Sequence, residues 1–498
     1  MAQNEERTYG NWRQPSSPGF GNLGLGGSGL MLGGILLIVV LLYLSATLAI
    51  GAAVVVAGLL VPMVIRDRHG RNGVQWLTAR TAFANGKSKG QNLYRSGPLG
   101  RIPMGTCKLP GLVAASTLYE AQDAWGRPFA MLTIPRTNHH TVVLTTSADG
   151  ASLVDGDQID TWVAYWGQWL AQLAHEPRLV AVSVSVEAIP DTGDRLRREV
   201  FENMDPSAPT LSKQVLEEVV ETYPVGSARL TTRIALTYSG AGGANVQGGR
   251  KNVDEMAIDL GTRLPGLAAG LQMTGAGPAR PLTGEEMAEA IRVAYDPSVA
   301  LLVDQARAAG GSQLTWDDAG PIAAQESWDH YRHDGAFSIT WSMSEAPRGE
   351  VHSNVLSRLV SPHPDIVRKR VTLLYRPHDS GTAAGLVERD RKDALFKAQQ
   401  KKVMQARDSA AIGASEQSAR EEAAGAGLVR FGLLATATVL DQADLQVAAA
   451  AMDNLAASSR LRLRRVYGSQ ASAFAAALPL GLVLPNHLKV PQQIRETM

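Results

Sequence analysis

Residues Leu30 to Ile65 read LMLGGILLIVVLLYLSATLAIGAAVVVAGLLVPMVI, and no charged side chain occurs anywhere between Arg13 and Arg66. Such a run belongs in lipid. One straight helix of these 36 residues would be roughly 54 Å long against a hydrocarbon core of about 30 Å, so a single span fits poorly. Two short helices fit better. Ser45 and Thr47 interrupt the run, which predicts a break between Ser45 and Leu48 and spans at Ser28 to Leu44 and Leu48 to Ile65. Arg7 and Arg13 precede the run, Arg66, Arg68, Arg71 and Arg80 follow it, and the expected turn carries no charge. The expectation is a multi-pass (two-span) cell-membrane hairpin with both termini cytoplasmic. The run is too long, and lies behind too long a polar tail, for a cleaved signal peptide.

Working outward, a chain of 498 residues with 45% hydrophobic and 19% charged residues has material for two or three buried cores beyond the hairpin. The formal net charge of +1 gives no broad basic field, so nucleic acid is not an expected partner. Cys107 is the one cysteine, which excludes an intrachain disulfide and a cysteine metal cluster; an ordinary buried thiol is expected.

The layout expected from pattern is a cytoplasmic tail (1–27), the transmembrane hairpin (28–65), a juxtamembrane connector (66–110), a first α+β module (111–276) and a second (277–498). Within the connector, Trp76 to Phe83 reads as a helix that carries Arg80 towards headgroups. Phe129 to Ile134 and Thr141 to Thr146 read as paired strands around the turn Pro135 to His140. Ile159, Trp162, Val163, Trp166, Leu170 and Leu173 share one helical face, with Asp157 as the expected N-cap. Val180, Val182, Val184 and Val186 alternate with Ala and Ser as a half-buried strand. Helices follow at Arg195 to Asn203 and Leu211 to Glu221, a strand at Ala228 to Tyr238 and a helix at Val253 to Arg263.

The second module opens after the Gly, Ala and Pro cluster Gly275 to Pro281. Thr283 and Glu286 form a capping box, and Asp334-Gly335 marks a hairpin between Trp328 to Arg332 and Phe337 to Met343. Further strands are expected at Ile366 to Tyr375, Leu428 to Leu440 and Leu461 to Val466, with a helix at Asp444 to Leu455. Val387 to Glu422 (387–422) is charged and Ala-rich, and is expected to project as a solvated helix or helical hairpin. The fold class expected is membrane-anchored α+β, with two ferredoxin-like α/β modules after the hairpin.

Residue patterns for chemistry fail on their surroundings. Gly86-Lys87-Ser88 imitates the end of a phosphate-binding loop, but Thr81 stands where the first glycine is needed and no strand feeds the turn. Asp304, after the apolar Val299 to Val303, falls on an expected helix rather than a magnesium-binding strand. The Gly24 to Gly29 run lacks a preceding strand and suits a flexible entry into the bilayer. His139 and His140 point to opposite faces, ill placed to share a metal, and are expected in an exposed turn. Asp155, Asp157 and Asp160 suit a helix start rather than a calcium loop. Trp162, Trp166 and Trp169 are expected to be core. No catalytic, cofactor-binding or metal site is assigned, and no cofactor is expected.

Thr8-Tyr9-Gly10-Asn11-Trp12-Arg13, the Pro-Gly-rich approach to the bilayer and the paired spans together resemble a family of actinobacterial membrane proteins associated with conjugative elements. The hairpin resembles the small PrgI-type inner-membrane subunit. Trp162 to Leu173 with the valine strand, and Phe474-Ala475-Ala476-Ala477-Leu478-Pro479-Leu480-Gly481, are similar to the region preceding the motor domain of VirB-type conjugation ATPases. The resemblance implies a non-enzymatic scaffold of a conjugation or type IV secretion apparatus. Its partners would be a separate motor ATPase, other membrane subunits and the lipid bilayer, in an oligomeric assembly. An EccE-type component of type VII secretion is the alternative, and a membrane-anchored enzyme a third.

Overall fold

Two apolar helices come first, α1 (Gly24–Leu44) and α2 (Ala46–Val64), broken at Ser45, whose extended backbone (φ −166°) interrupts the helical run. The computed structural model of the protein describes residues 7–10, 12, 24–65, 72–100, 105–148, 150, 154–191, 193–222, 228–241, 249–347, 349–378, 380–399 and 406–488. Arg13, Arg66, Arg68 and Arg71 lie outside these residues. Both helices are long and apolar enough to cross a membrane. They lie against each other, and Gly34 permits the close approach, since a Cβ there would stand 2.6 Å from Val56 Cγ1. Elsewhere their apolar side chains face outward without a protein partner, Leu36 at 67% exposure and Tyr43 at 90%. The glycines from Gly24 onward are inside α1 rather than in a flexible entry. In a continuous apolar run no polar side chain competes for the backbone, so helical hydrogen bonding outweighs glycine's entropy.

Helix α3 (Gly73–Ser88) is capped by Asn72, which accepts from the Gln75 amide at 2.8 Å. Strands β1 (Leu93–Arg95), β2 (Thr117–Gln122), β3 (Pro128–Ile134) and β4 (His139–Thr146) precede helix α4 (Gly156–Leu173). Then come β5 (Leu179–Pro190), α5 (Asp194–Asn203), α6 (Thr210–Thr222), β6 (Ala228–Ser239), α7 (Val253–Ala269) and β7 (Ala279–Pro281). Helices α8 (Gly284–Tyr295) and α9 (Ala300–Ala308) lead into β8 (Ala323–Glu326), β9 (Tyr331–His333) and β10 (Ala336–Glu345). The chain continues through α10 (Ser357–Val360), β11 (Arg368–Pro377), α11 (Ser380–Gln399), α12 (Ala406–Ala423) and β12 (Val429–Val439). Helix α13 (Leu445–Ser458), β13 (Arg462–Arg465) and α14 (Gln470–Ala477) follow. Helix α7 runs past the expected end at Arg263 because buried Leu264, Pro265 and Ala268 hold its last turn in the core.

The thirteen strands among the described residues form one antiparallel sheet. Two stretches of it repeat the same order: β7, β4, β6, β5 in the first half and β13, β10, β12, β11 in the second. In each, a preceding hairpin (β2 with β3, β8 with β9) shares the outer edge of the first strand with the last. The helix pairs α5 with α6 and α11 with α12 are inserted at equivalent places, between the second and third strands. The halves meet where β5 pairs with β11 from Ala188↔Lys369 to Val182↔Tyr375.

One face of the sheet carries two separate cores. Phe129, Met131, Val142, Leu144 and Ile234 pack against α4 and α7 in the first half. Ile339, Trp341, Val371 and Ala435 pack against α10 and α13 in the second. The opposite face has one core common to both halves, in which Leu132, Ile134, Val143 and Leu434 meet α8 and the segment Phe474 to Leu482. The valine strand is therefore not half-buried: Ser183 and Ser185, the polar side of the alternation, are 7% and 3% exposed.

Candidate functional site

The N-terminal tail is fastened across the seam between the halves. Tyr9 and Val351 exchange backbone hydrogen bonds of 2.7 and 2.8 Å, and Thr8 Oγ1 donates to Glu350 Oε2 at 2.6 Å. Tyr9 OH donates to Asp160 Oδ1 on α4 at 2.7 Å, and its pKa is pushed up to about 12 by burial and by this bond. Trp12 meets Phe431 on β12 edge to face at 5.2 Å. Thr8, Tyr9 and Trp12 thus touch the first half through Asp160 and the second through Glu350, Val351 and Phe431. On the far side of the hairpin, α3 reaches the body through Phe83, 5.4 Å from the Trp328 ring, and Arg80, 4.8 Å above it. Trp76 and Leu77, at the hairpin end of α3, are exposed.

The residues tested for chemistry fall as follows. Thr81 and Gly86-Lys87-Ser88 are in α3, so those amides serve the helix. Asp304 lies on α9, 3.8 Å from Arg307. Asp155, not Asp157, is the N-cap of α4, without a side-chain capping bond, because the helix starts two residues earlier than expected, at Gly156. Trp169 is buried and stacks on Trp166 at 5.1 Å; Trp166 reaches Tyr375 of the second half at 6.1 Å. Trp162 packs on Gly275, where a Cβ would come within 2.6 Å of the indole. Cys107 is partly exposed.

His139 and His140 are not exposed turn residues. They begin β4, 3% and 1% exposed, because the Asn486 segment covers one face and β3 the neighbouring edge. His139 Nε2 lies 3.3 Å from Asn486 Nδ2 and His140 Nδ1 lies 3.1 Å from Thr133 Oγ1. Burial lowers both imidazoles, His139 to about 4. Among the described residues no group of three or more His, Cys, Asp or Glu side chains could hold a metal ion.

A feature that pattern reading missed is a buried charge cluster beside the seam. Glu187 ends β5's polar face, and Arg370 Nη2, Arg368 Nη2 and Arg233 Nη1 approach its carboxylate at 2.6, 3.2 and 3.4 Å. Glu187, Arg368 and Arg370 are 4%, 6% and 4% exposed. The guanidiniums hold the Glu187 carboxyl far below the usual carboxylate range against the opposing effect of burial, while burial lowers Arg233 and Arg370. The sequence signal for this cluster is charge at inward positions of apolar strands, Glu187 after Val182 to Val186 and Arg370 before Val371.

A surface groove of about 460 Å³ beside α7 is lined by Lys251, Glu255, Ile258, Asp259, Thr262 and Arg263. Its charges are already spent on one another, with Lys251 and Arg263 each 2.6 Å from Asp259.

A family model described as a domain of unknown function, DUF8461, matches residues 16–75. The matched stretch contains α1, α2 and the first residues of α3. No curated protein matches the chain.

Proposed function

We propose that this chain is a non-catalytic integral membrane scaffold of a conjugation or type IV-like secretion apparatus. The hairpin of α1 and α2 spans the bilayer twice, and the two halves, each a ferredoxin-like unit, form a cytoplasmic body that docks a separate motor ATPase. The observation that carries this reading is the fastening of Tyr9 to Asp160 and Val351. Chain entering the hairpin and chain leaving it through α3 are both held by the same body, which supports an even number of crossings. Arg7 before the hairpin and Arg80 after it favour the cytoplasmic side.

Docking is supported by surface as well as by resemblance. Leu211, Val215 and Val219, four residues apart along α6, are 72%, 50% and 41% exposed and form an unpartnered apolar stripe. Holding a motor beside the bilayer raises its effective concentration at any channel there.

Fractionation of cells expressing the full chain, or a form lacking Leu30 to Ile65, tests the reading. The full chain should bring the ATPase to membranes. The shortened form should bind it in the soluble fraction. An ATPase that stays on membranes with the shortened form, or a body that binds no motor at micromolar concentration, sinks the scaffold. Strong signal from an extracytoplasmic reporter fused at Met498 sinks the two-span topology separately.

A further inference from the structure

We propose that the cluster of Arg233, Arg368 and Arg370 around Glu187 is a binding site for a phosphate group. Three guanidiniums share one carboxylate, so the cluster carries a residual charge of +2. An arginine cannot discharge itself by losing a proton as a buried lysine can. The excess therefore needs an anion, because buried charge without a partner is strongly unfavourable.

The donors tell the same story as the charges. Arg233 Nε, Arg368 Nε and Arg370 Nη1 are buried and have no hydrogen-bond partner. Each arginine has spent part of its fork on Glu187 and holds another N–H unused. Orphan donors from three arginines on two strands, β6 and β11, around one carboxylate are what an oxyanion with several acceptor oxygens satisfies, and planar guanidinium forks match that geometry. A phosphate group near neutral pH carries close to two negative charges, the amount left uncompensated.

The cluster is closed on one side and open on another. Phe474 lies over the Arg370 guanidinium at 5.6 Å and shields it from solvent. Arg233 keeps 18% of its side chain exposed and marks the way in. Arg307 on α9, 45% exposed and paired with buried Glu289, stands near enough for its charge to lower Arg233 further. Neither the membrane hairpin nor a docked motor is needed for binding.

The test is thermal unfolding of the full chain in detergent, with sodium phosphate exchanged for sodium chloride at constant ionic strength. Phosphate should raise the Tm with a saturable dependence, whereas chloride should not. Arg368→Gln and Arg233→Gln should each weaken the apparent affinity at least tenfold. Equilibrium dialysis of labelled phosphate against the unaltered chain gives a reading that does not depend on whether the variants fold, with saturation near one phosphate per chain expected. ADP and ATP, added as competitors, distinguish the sources. Displacement assigns the site to a nucleotide's phosphoryl group, and no displacement assigns it to free phosphate. Absence of saturable phosphate binding by the unaltered chain overturns the proposal, as does unchanged affinity in both folded variants.

Discussion

The hydroxyls of Ser185 and Thr372 lie 3.0 Å apart across the pairing of β5 with β11, and both donate to the carbonyl of Ala477, at 3.3 and 2.7 Å. The seam between the halves is thus closed by backbone from the C-terminal segment. Thr237 on β6 repeats the device, donating to the Gly481 carbonyl at 3.2 Å. Serine and threonine suit this face because each supplies a donor to a segment whose own backbone carbonyls lack strand partners.

Thr372→Val removes the shorter of the two bonds to Ala477 while preserving shape. The expected cost is about 1–2 kcal/mol in denaturant unfolding of the full chain, with Ser185→Ala costing less. An unchanged midpoint for Thr372→Val would mean the C-terminal segment is held elsewhere.

Gly481 has φ +62°, and a Cβ there would collide with Thr141 Oγ1 and Thr237 Oγ1. Gly481→Ala combines left-handed backbone strain with overpacking, about 2–4 kcal/mol together. Limited proteolysis should cut the variant near residues 478–488 under conditions that spare the parent chain. Equal resistance would contradict the close packing.

Stability should fall in mild acid. His139 and His333 are both lowered by burial to about 4, from an ordinary value near 6.5, and His333 is locked between the Tyr295 carbonyl and Ser338 at 2.5 and 2.8 Å. Above pH 6.5 both states hold these imidazoles neutral and their contribution is complete. Between pH 6.5 and 4 the unfolded chain takes up protons that the fold refuses, so stability drops with falling pH by up to about 3 kcal/mol per histidine. His333→Gln should flatten this slope in Tm measured from pH 7 to pH 4. A slope identical to the parent's counts against the assignment.

Lys87 is exposed on the last turn of α3. Lys87→Ala should therefore shift unfolding by less than about 0.5 kcal/mol and leave any affinity for ATP unchanged. Nucleotide binding abolished by that substitution would restore the phosphate-loop reading.

Local pattern carried far into the fold. The valine alternation, the helical face from Ile159 to Leu173 and the turn at Asp334-Gly335 all produced the elements expected, with Asp334 at φ +45° and its carboxylate accepting from the Ile322 and Ala323 amides. Thr283 and Glu286 make both bonds of the capping box. Each signal is complete within a few residues, which is why it can be read without the fold.

The candidate sites depended on distance along the chain. Glu187 and Arg370 are separated by 183 positions, and Tyr9 and Asp160 by 151. The local sign, charge at an inward position beside Val371, does not by itself separate a solvated basic strand end from a buried cluster. That difference is made by Phe474 and α8 settling over the same face.

By itself the sequence determined the apolar pair of helices, the type of most strands and helices, and the recurrence of strand and helix in both halves. These follow from side-chain period, chain length against bilayer thickness and turn chemistry. Only the tertiary structure decided that β5 and β11 join the halves into one sheet, that β1 pairs with β8, and that the serine and threonine face is buried. Register between distant strands and the covering of a sheet face are chosen by the sum of many weak contacts across the whole chain, and no local stretch contains that sum.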